Sequence, residues 1–198
     1  MAKSYDRAYF EKWYRHPGFR VRRQAALRKK AAMAVAVAEH VNGRPVRSIL
    51  DVGCGEGAWR FPLKELRPQA RYLGIDPSEY VVTRFGAARN IRHGSFGQLA
   101  GLRLAEAYDL VVCSDVLHYV EEPELVRGLE GLSRILRGVA YLDVLTLEDQ
   151  PEGDLEGFHA RPASWYRRRF RVAGLTALGL GFYVGESAAD DPTALELG

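Results

Sequence analysis

The stretch Ile49-Leu50-Asp51-Val52-Gly53-Cys54-Gly55-Glu56-Gly57-Ala58 sets three glycines on alternate positions after an apolar run, with a carboxylate two residues ahead of the first. Glycines in that pattern let a chain turn sharply and bring its backbone against a ligand, whose polar groups meet unpaired N–H groups. A second carboxylate, Asp76, ends the next apolar run, "RYLGID", and a carboxylate there can accept from two neighbouring hydroxyls at once. A third polar group, Ser114, Asp115 and His118 in "CSDVLHY", follows "YDLVV". Serine, aspartate and histidine together suggest a hydrolytic triad, but Ser114 lacks the Gly-x-Ser-x-Gly elbow, and three catalytic side chains from one short segment seldom converge. The segment reads instead as the carboxyl end of a central strand, where open α/β sheets hold ligands. His118 is then the member with a proton to move near neutral pH.

Two nucleotide chemistries compete for the glycine turn. Gly53-x-Gly55-x-x-Ala58 with Asp76 downstream satisfies the dinucleotide fingerprint and points to an NAD(P) enzyme. Asp51 argues against it, because a carboxylate beneath the turn suits a cationic ligand. With the third glycine, the pattern acid-x-Gly-x-Gly-x-Gly resembles the first motif of the class I S-adenosylmethionine-dependent methyltransferases, and the resemblance continues in order over residues 46–147. It implies S-adenosyl-L-methionine as cofactor, held by Asp51, Gly53, Cys54 and Gly55, with Asp76 on the ribose and Pro77 and Ser78 along the adenine. "IRHGSFGQL" stands where the family often has Gly-Asp, which implies adenine contacts for Ser95 and Phe96; a surface turn is the alternative there. "YDLVVCSDVLHYV" resembles the fourth motif and implies that Ser114 and Asp115 lie beside the methionine moiety.

Methyl transfer to a hydroxyl calls for a base, and His118 is the first choice; a histidine that merely orders the loop is the alternative. A leading helix folds over the cofactor in many such enzymes, which implies lid roles for Tyr9 and Tyr14. Tyr5, Tyr9 and Trp13 share one helical face, a spacing that suits plain packing as well. His159, Trp165 and Tyr166 follow the fifth strand, where the family builds its acceptor pocket. The expected reaction is methyl transfer to a small molecule, anionic or aromatic, with oxygen favoured over nitrogen or carbon. Two other readings stand beside it: a methyltransferase acting on RNA or protein, and a non-catalytic cofactor-binding scaffold.

The elements that must position these residues follow from the pattern of apolar runs. Helical periodicity spans Ala8 to Val41, interrupted at Pro17-Gly18 and stopped by Asn42-Gly43. From residue 46 short apolar runs alternate with longer mixed ones, which predicts crossover units and a parallel sheet covered on both faces. "LTALGLGFYVGE" and the terminal "PTALELG" are expected to pair as an antiparallel edge around "SAADDP". The fold expected is thus α/β, a Rossmann-like doubly wound sheet of seven strands, mostly parallel with an antiparallel C-terminal hairpin. Residues 1–45 form an N-terminal helical lid of the same domain, and 46–198 the Rossmann-like body.

Two cysteines, Cys54 and Cys113, are too few and too far apart for a zinc site or a disulfide framework, so no metal is expected. No apolar run approaches the ~20 residues of a membrane span, and the start lacks a secretory pattern, which predicts a cytoplasmic protein. Residues 1–47 hold 12 basic and 3 acidic side chains and the rest 16 and 22, so a basic arm precedes an acidic body. Such an arm suits phosphates of RNA, an anionic acceptor, or solvent alone.

Overall fold

The computed structural model describes residues 5–14, 17–104, 107–149 and 154–188. Two helices lead, α1 (Arg7–Tyr14) and α2 (Pro17–Asn42). Then come β1 (Ser48–Val52), α3 (Arg60–Leu66), β2 (Arg71–Asp76), α4 (Glu79–Arg89), β3 (Ile91–His93), β4 (Tyr108–Ser114), α5 (Glu122–Ile135) and β5 (Leu136–Asp143). The series closes with α6 (Ala163–Val172), β6 (Leu175–Gly179) and β7 (Phe182–Gly185).

The seven strands form one sheet in the order β3-β2-β1-β4-β5-β7-β6, parallel from β3 to β5, with β7 antiparallel to both neighbours. All five residues of β1 and the first six of β4 are buried, as a sheet covered on both faces requires. Alternate strand residues go to opposite layers. Leu50, Val111, Cys113 and Leu142 pack under α5 and α6, where Leu125, Leu129, Tyr166 and Phe170 are buried. Ile49, Leu110, Val112 and Tyr141 face α2 and α3, against Ala31, Ala34, Val35 and Leu63. The second half of α2 is therefore core, and α1 packs through Phe10 against Cys54 after β1, Val81 of α4 and Ile91 of β3. No helix among the described residues is long and apolar enough to cross a membrane.

The helix after the glycine turn starts at Arg60, which puts Pro62 in its first turn, where a missing N–H breaks no hydrogen bond. An antiparallel hairpin forms within residues 175–185 around Leu180-Gly181, where both turn residues adopt positive φ, +51° and +81°, which suits the twist of a two-residue hairpin. The expected partner strand "PTALELG" lies outside the described residues.

At the amino edge of the sheet Asp109 is fully buried. It accepts two hydrogen bonds from Arg44 at 2.7 and 3.2 Å, two from Arg137 at 2.8 and 3.2 Å, and the N–H groups of Arg47 at 2.8 Å and Ser48 at 3.2 Å. Burial alone would raise its carboxyl, yet Arg44, the Arg47 N–H and Arg137 together hold it well below the usual carboxylate range.

Candidate functional site

The strand order reverses between β1 and β4, and an open sheet forms its crevice at such a point, outside the carboxyl ends of the strands. The glycine turn stands there. Gly53, Gly55 and Gly57 have φ of +69°, +53° and +77°, a conformation that costs side-chain-bearing residues. A Cβ on Gly53 would also lie 2.3 Å from Cγ2 of Val116, just past the end of β4. Gly53 and Cys54 donate their N–H groups to the carbonyl of Ile75 at 2.8 and 3.1 Å, which seats the turn on β2.

Asp76 closes the turn from the other side. Its Oδ2 accepts the N–H of Gly55 at 2.7 Å and its Oδ1 the N–H of Ser78 at 2.9 Å. Each oxygen retains acceptor capacity after these bonds, as two hydroxyls of a ribose need. Burial outweighs both bonds and raises the carboxyl of Asp76. Asp51 is 2% exposed beneath the turn, where burial pushes its carboxyl up to about 7 against the lowering hydrogen bond from Tyr72 at 2.7 Å. A buried carboxylate so weakly compensated suits a nearby positive charge, so the donor set fits a cationic nucleoside.

The remaining expected cofactor contacts divide. Pro77 is exposed, and its carbonyl meets Nε2 of His93 at 3.1 Å. The hydroxyl of Ser78 caps α4 by accepting from Val81 at 3.2 Å and donates to the Tyr5 carbonyl at 2.5 Å. Ser95 caps a short 3₁₀ turn, Phe96–Gln98, in a reciprocal capping box with Gln98. Phe96 is 2% exposed, and a Cβ on Gly128 of α5 would lie 2.2 Å from its ring, so the ring is spent on the main core. Cys54 is buried and its thiol raised first by burial, then by Asp51 and Asp76. Ser114 bonds Oδ2 of Asp143 at 3.0 Å. Asp115 is exposed with φ +60°, a conformation that aspartate tolerates better than most residues.

Over the turn, Phe10 of α1 is buried against Cys54, Val81 and Ile91, and Tyr9 is half-buried, edge-on to Tyr5 at 5.1 Å. The Tyr5 phenol is raised by burial first and then by Tyr119, Asp154 and Asp76. Tyr14 ends α1, and its side chain lies outside the described residues.

His118 is 1% exposed, packed between the rings of Tyr119 at 4.3 Å and Phe158 at 5.3 Å. Its Nδ1 accepts the N–H of Leu145 at 3.3 Å, so in the neutral ring the proton sits on Nε2 and the side chain is a donor there. That tautomer opposes the role of base expected from the sequence. His159 lies 3.6 Å from Glu121, and its N–H holds the carbonyl of His118 at 2.8 Å. Trp165 sits against the guanidinium groups of Arg161 at 4.5 Å and Arg169 at 5.2 Å. Tyr166 is 2% exposed within the core.

Three contributors escaped the sequence reading: Tyr72, Asp143 and the placement of Lys30. Gly74 held the signal for Tyr72, since an isolated glycine inside a strand marks a close approach. A Cβ there would lie 2.7 Å from Sγ of Cys54 and 3.3 Å from the Tyr72 hydroxyl.

Residues 50–140 match the family model described as a methyltransferase domain. Over 113 residues the chain is 26% identical to a tRNA U34 carboxymethyltransferase of Campylobacter jejuni, covering 54% of this chain and 38% of that protein. Over 98 residues it is 34% identical to an uncharacterized protein of Synechococcus, covering 46% of this chain and 22% of that one. The chain therefore spans less than half the length of either relative. Among solved structures, a sugar N-methyltransferase from Streptoalloteichus aligns with a TM-score of 0.67 at 19% identity, over 88% of this chain and 90% of that one. The magnesium protoporphyrin IX methyltransferase of Synechocystis, solved with bound SAH, aligns with a TM-score of 0.64 at 19% identity over 86% of each. Likeness at these identities is likeness of fold.

Proposed function

We propose that this chain, whose residues 50–140 match a model described as a methyltransferase domain, transfers a methyl group from S-adenosylmethionine to a small molecule bearing a hydroxyl or an amine. The observation that carries the reading is the Asp76 carboxylate bonded to Gly55 and Ser78 at the strand-order switch, with Asp51 buried beneath the same turn. When bound, S-adenosylmethionine supplies a methyl group already activated by its sulfonium, so alignment and exclusion of water are the protein's share. Gly53, Cys54 and Gly55 shape the backbone seat, Asp76 takes the ribose hydroxyls, and Asp51 offsets the positive charge. Phe10 and Tyr5 close the seat from above, and Ser114 and Asp115 border it at the end of β4. His118, a donor at Nε2, orients a neighbour instead of removing a proton.

Calorimetric titration with S-adenosylhomocysteine tests this reading. Binding is expected for the wild type and is lost in Asp76→Ala, while NAD(P) gives no heat. Absence of S-adenosylhomocysteine binding to the wild type sinks the proposal.

The Campylobacter relative, named as acting on tRNA, favours a second reading with an RNA acceptor. Arg28 and Lys29 lie on α2 on one face of the sheet, whereas Arg167, Arg168 and Arg171 lie on α6 on the other, so these clusters build no single phosphate-binding surface. Strong salt-dependent association with tRNA would support the RNA reading over the small-molecule one.

A further inference from the structure

β5 ends on Asp143, and two side chains distant in sequence converge on it. Its Oδ2 accepts from Nζ of Lys30 on α2 at 2.5 Å and from Oγ of Ser114 on β4 at 3.0 Å. A carboxylate offers about four lone-pair directions, so two donors, both on Oδ2, leave acceptor capacity for a ligand. The Asp143 side chain keeps 29% of its surface exposed.

The sheet fixes where that direction lies. Asp143 pairs with Ser114 in register, and β4 is the neighbour of β1, so Asp143 stands two strand spacings, roughly 10 Å, from the strand that carries the glycine turn. That sets Asp143 away from the turn and Asp76, which take the nucleoside, and toward the methyl-bearing end of a ligand seated there, where a second molecule would lie beside it. Tyr72 and Tyr141 lie on the α2 side of the sheet, and strand alternation puts Asp51 and Asp143 there with them.

Resting on the methyl-transfer reading, we propose that Asp143 orients the methyl acceptor by accepting a hydrogen bond from its nucleophilic hydroxyl or amine, with Lys30 and Ser114 as positioning residues. The acceptor class is one with an O–H or N–H to donate, which excludes acceptors methylated at carbon.

Sinefungin carries an amine-bearing carbon in place of the methyl-bearing sulfur, so its ammonium probes the side of the site that receives the methyl group. Calorimetry compares sinefungin with S-adenosylhomocysteine on wild type, Asp143→Asn and Asp143→Glu. Asp143→Asn is expected to weaken sinefungin by about fivefold or more and S-adenosylhomocysteine by no more than about twofold, and Asp143→Glu to restore the wild-type ratio. An unchanged ratio in Asp143→Asn overturns the proposal, and so does an equal loss of both ligands, which marks a purely structural role. If Asp143→Asn does not fold, Lys30→Met replaces it: freeing Asp143 from its cation is expected to strengthen sinefungin relative to S-adenosylhomocysteine, and no change overturns the proposal. Failure of the wild type to bind either ligand refutes the methyl-transfer reading itself.

Discussion

The hydroxyl of Tyr72 donates to Oδ2 of Asp51 at 2.7 Å across the seam between β1 and β2, in space that Gly74 leaves open. Burial is the stronger influence and pushes the Asp51 carboxyl up to about 7, so the free protein holds this group protonated in mildly acidic solution. A cationic ligand favours the ionised form. Binding at pH 6.5 is therefore expected to release a proton, seen as a binding heat that varies with buffer ionisation enthalpy, and the effect disappears in Asp51→Asn. Stability follows the same sign. A folded value above the unfolded one gives stability that is complete below the ordinary carboxylate range and lost as pH rises through about 7. Relative to wild type, Asp51→Asn should melt higher at pH 8 than at pH 5, by roughly 2–4 °C for each kcal/mol involved.

Gly53→Ala meets two obstacles, positive φ and the Val116 side chain 2.3 Å from the new Cβ. The expected cost is roughly 1–3 kcal/mol in denaturant unfolding, with cofactor affinity falling about tenfold or more. Adding Val116→Ala should relieve the clash and leave the backbone cost, so the double variant recovers part of the stability. Equal midpoints for wild type and Gly53→Ala would show that the turn relaxes freely.

Asp109→Ala removes a buried carboxylate from between Arg44 and Arg137. Both guanidinium groups are partly exposed and can rehydrate, so the loss is on the order of 3 kcal/mol at pH 7. The folded value lies below the unfolded one, so this stability is present above pH ~4 and is lost as the pH falls further. Urea melts of wild type and variant should converge in acid, and a gap independent of pH would contradict the ion-pair account.

Leu180 is 81% exposed with φ +51° in a two-residue turn whose partner Gly181 also has positive φ. Such turns favour Asn-Gly. Leu180→Asn is therefore expected to stabilise the protein by about 0.5–1 kcal/mol, read as a higher denaturant midpoint with an unchanged slope. A lower midpoint would mean that the leucine makes contacts that outweigh its backbone strain.

Much of the architecture could be read from periodicity, because each strand is a short apolar run bounded by turn residues and each covering helix a longer mixed one. The glycine turn, Asp51 and Asp76 were legible for the same reason: their roles depend on residue type and on adjacency within one crossover unit. Ser95 and Phe96 were assigned to adenine although Ser95-x-x-Gln98 spells a capping box, and the ring is needed against Gly128, a contact that only the packing of α5 reveals. The tautomer of His118 depends on the N–H of Leu145, 27 residues away. The cluster on Asp143 joins residues up to 113 positions apart. Pairings of that kind are made by the sheet and have no local signature.

The two ends of β4 carry opposite demands. At one end Asp109 is fully enclosed by its bonds to Arg44, Arg137 and the backbone, and at the other Ser114, exposed Asp115 and Val116 border the crevice. Foldability is thus anchored some six residues from the chemistry along one strand. Segments at the crevice end can be exchanged for others of different shape while the clamp at the far end keeps the strand in register. The same scaffold can be re-targeted to new acceptors by loop replacement, with little of its stability at stake.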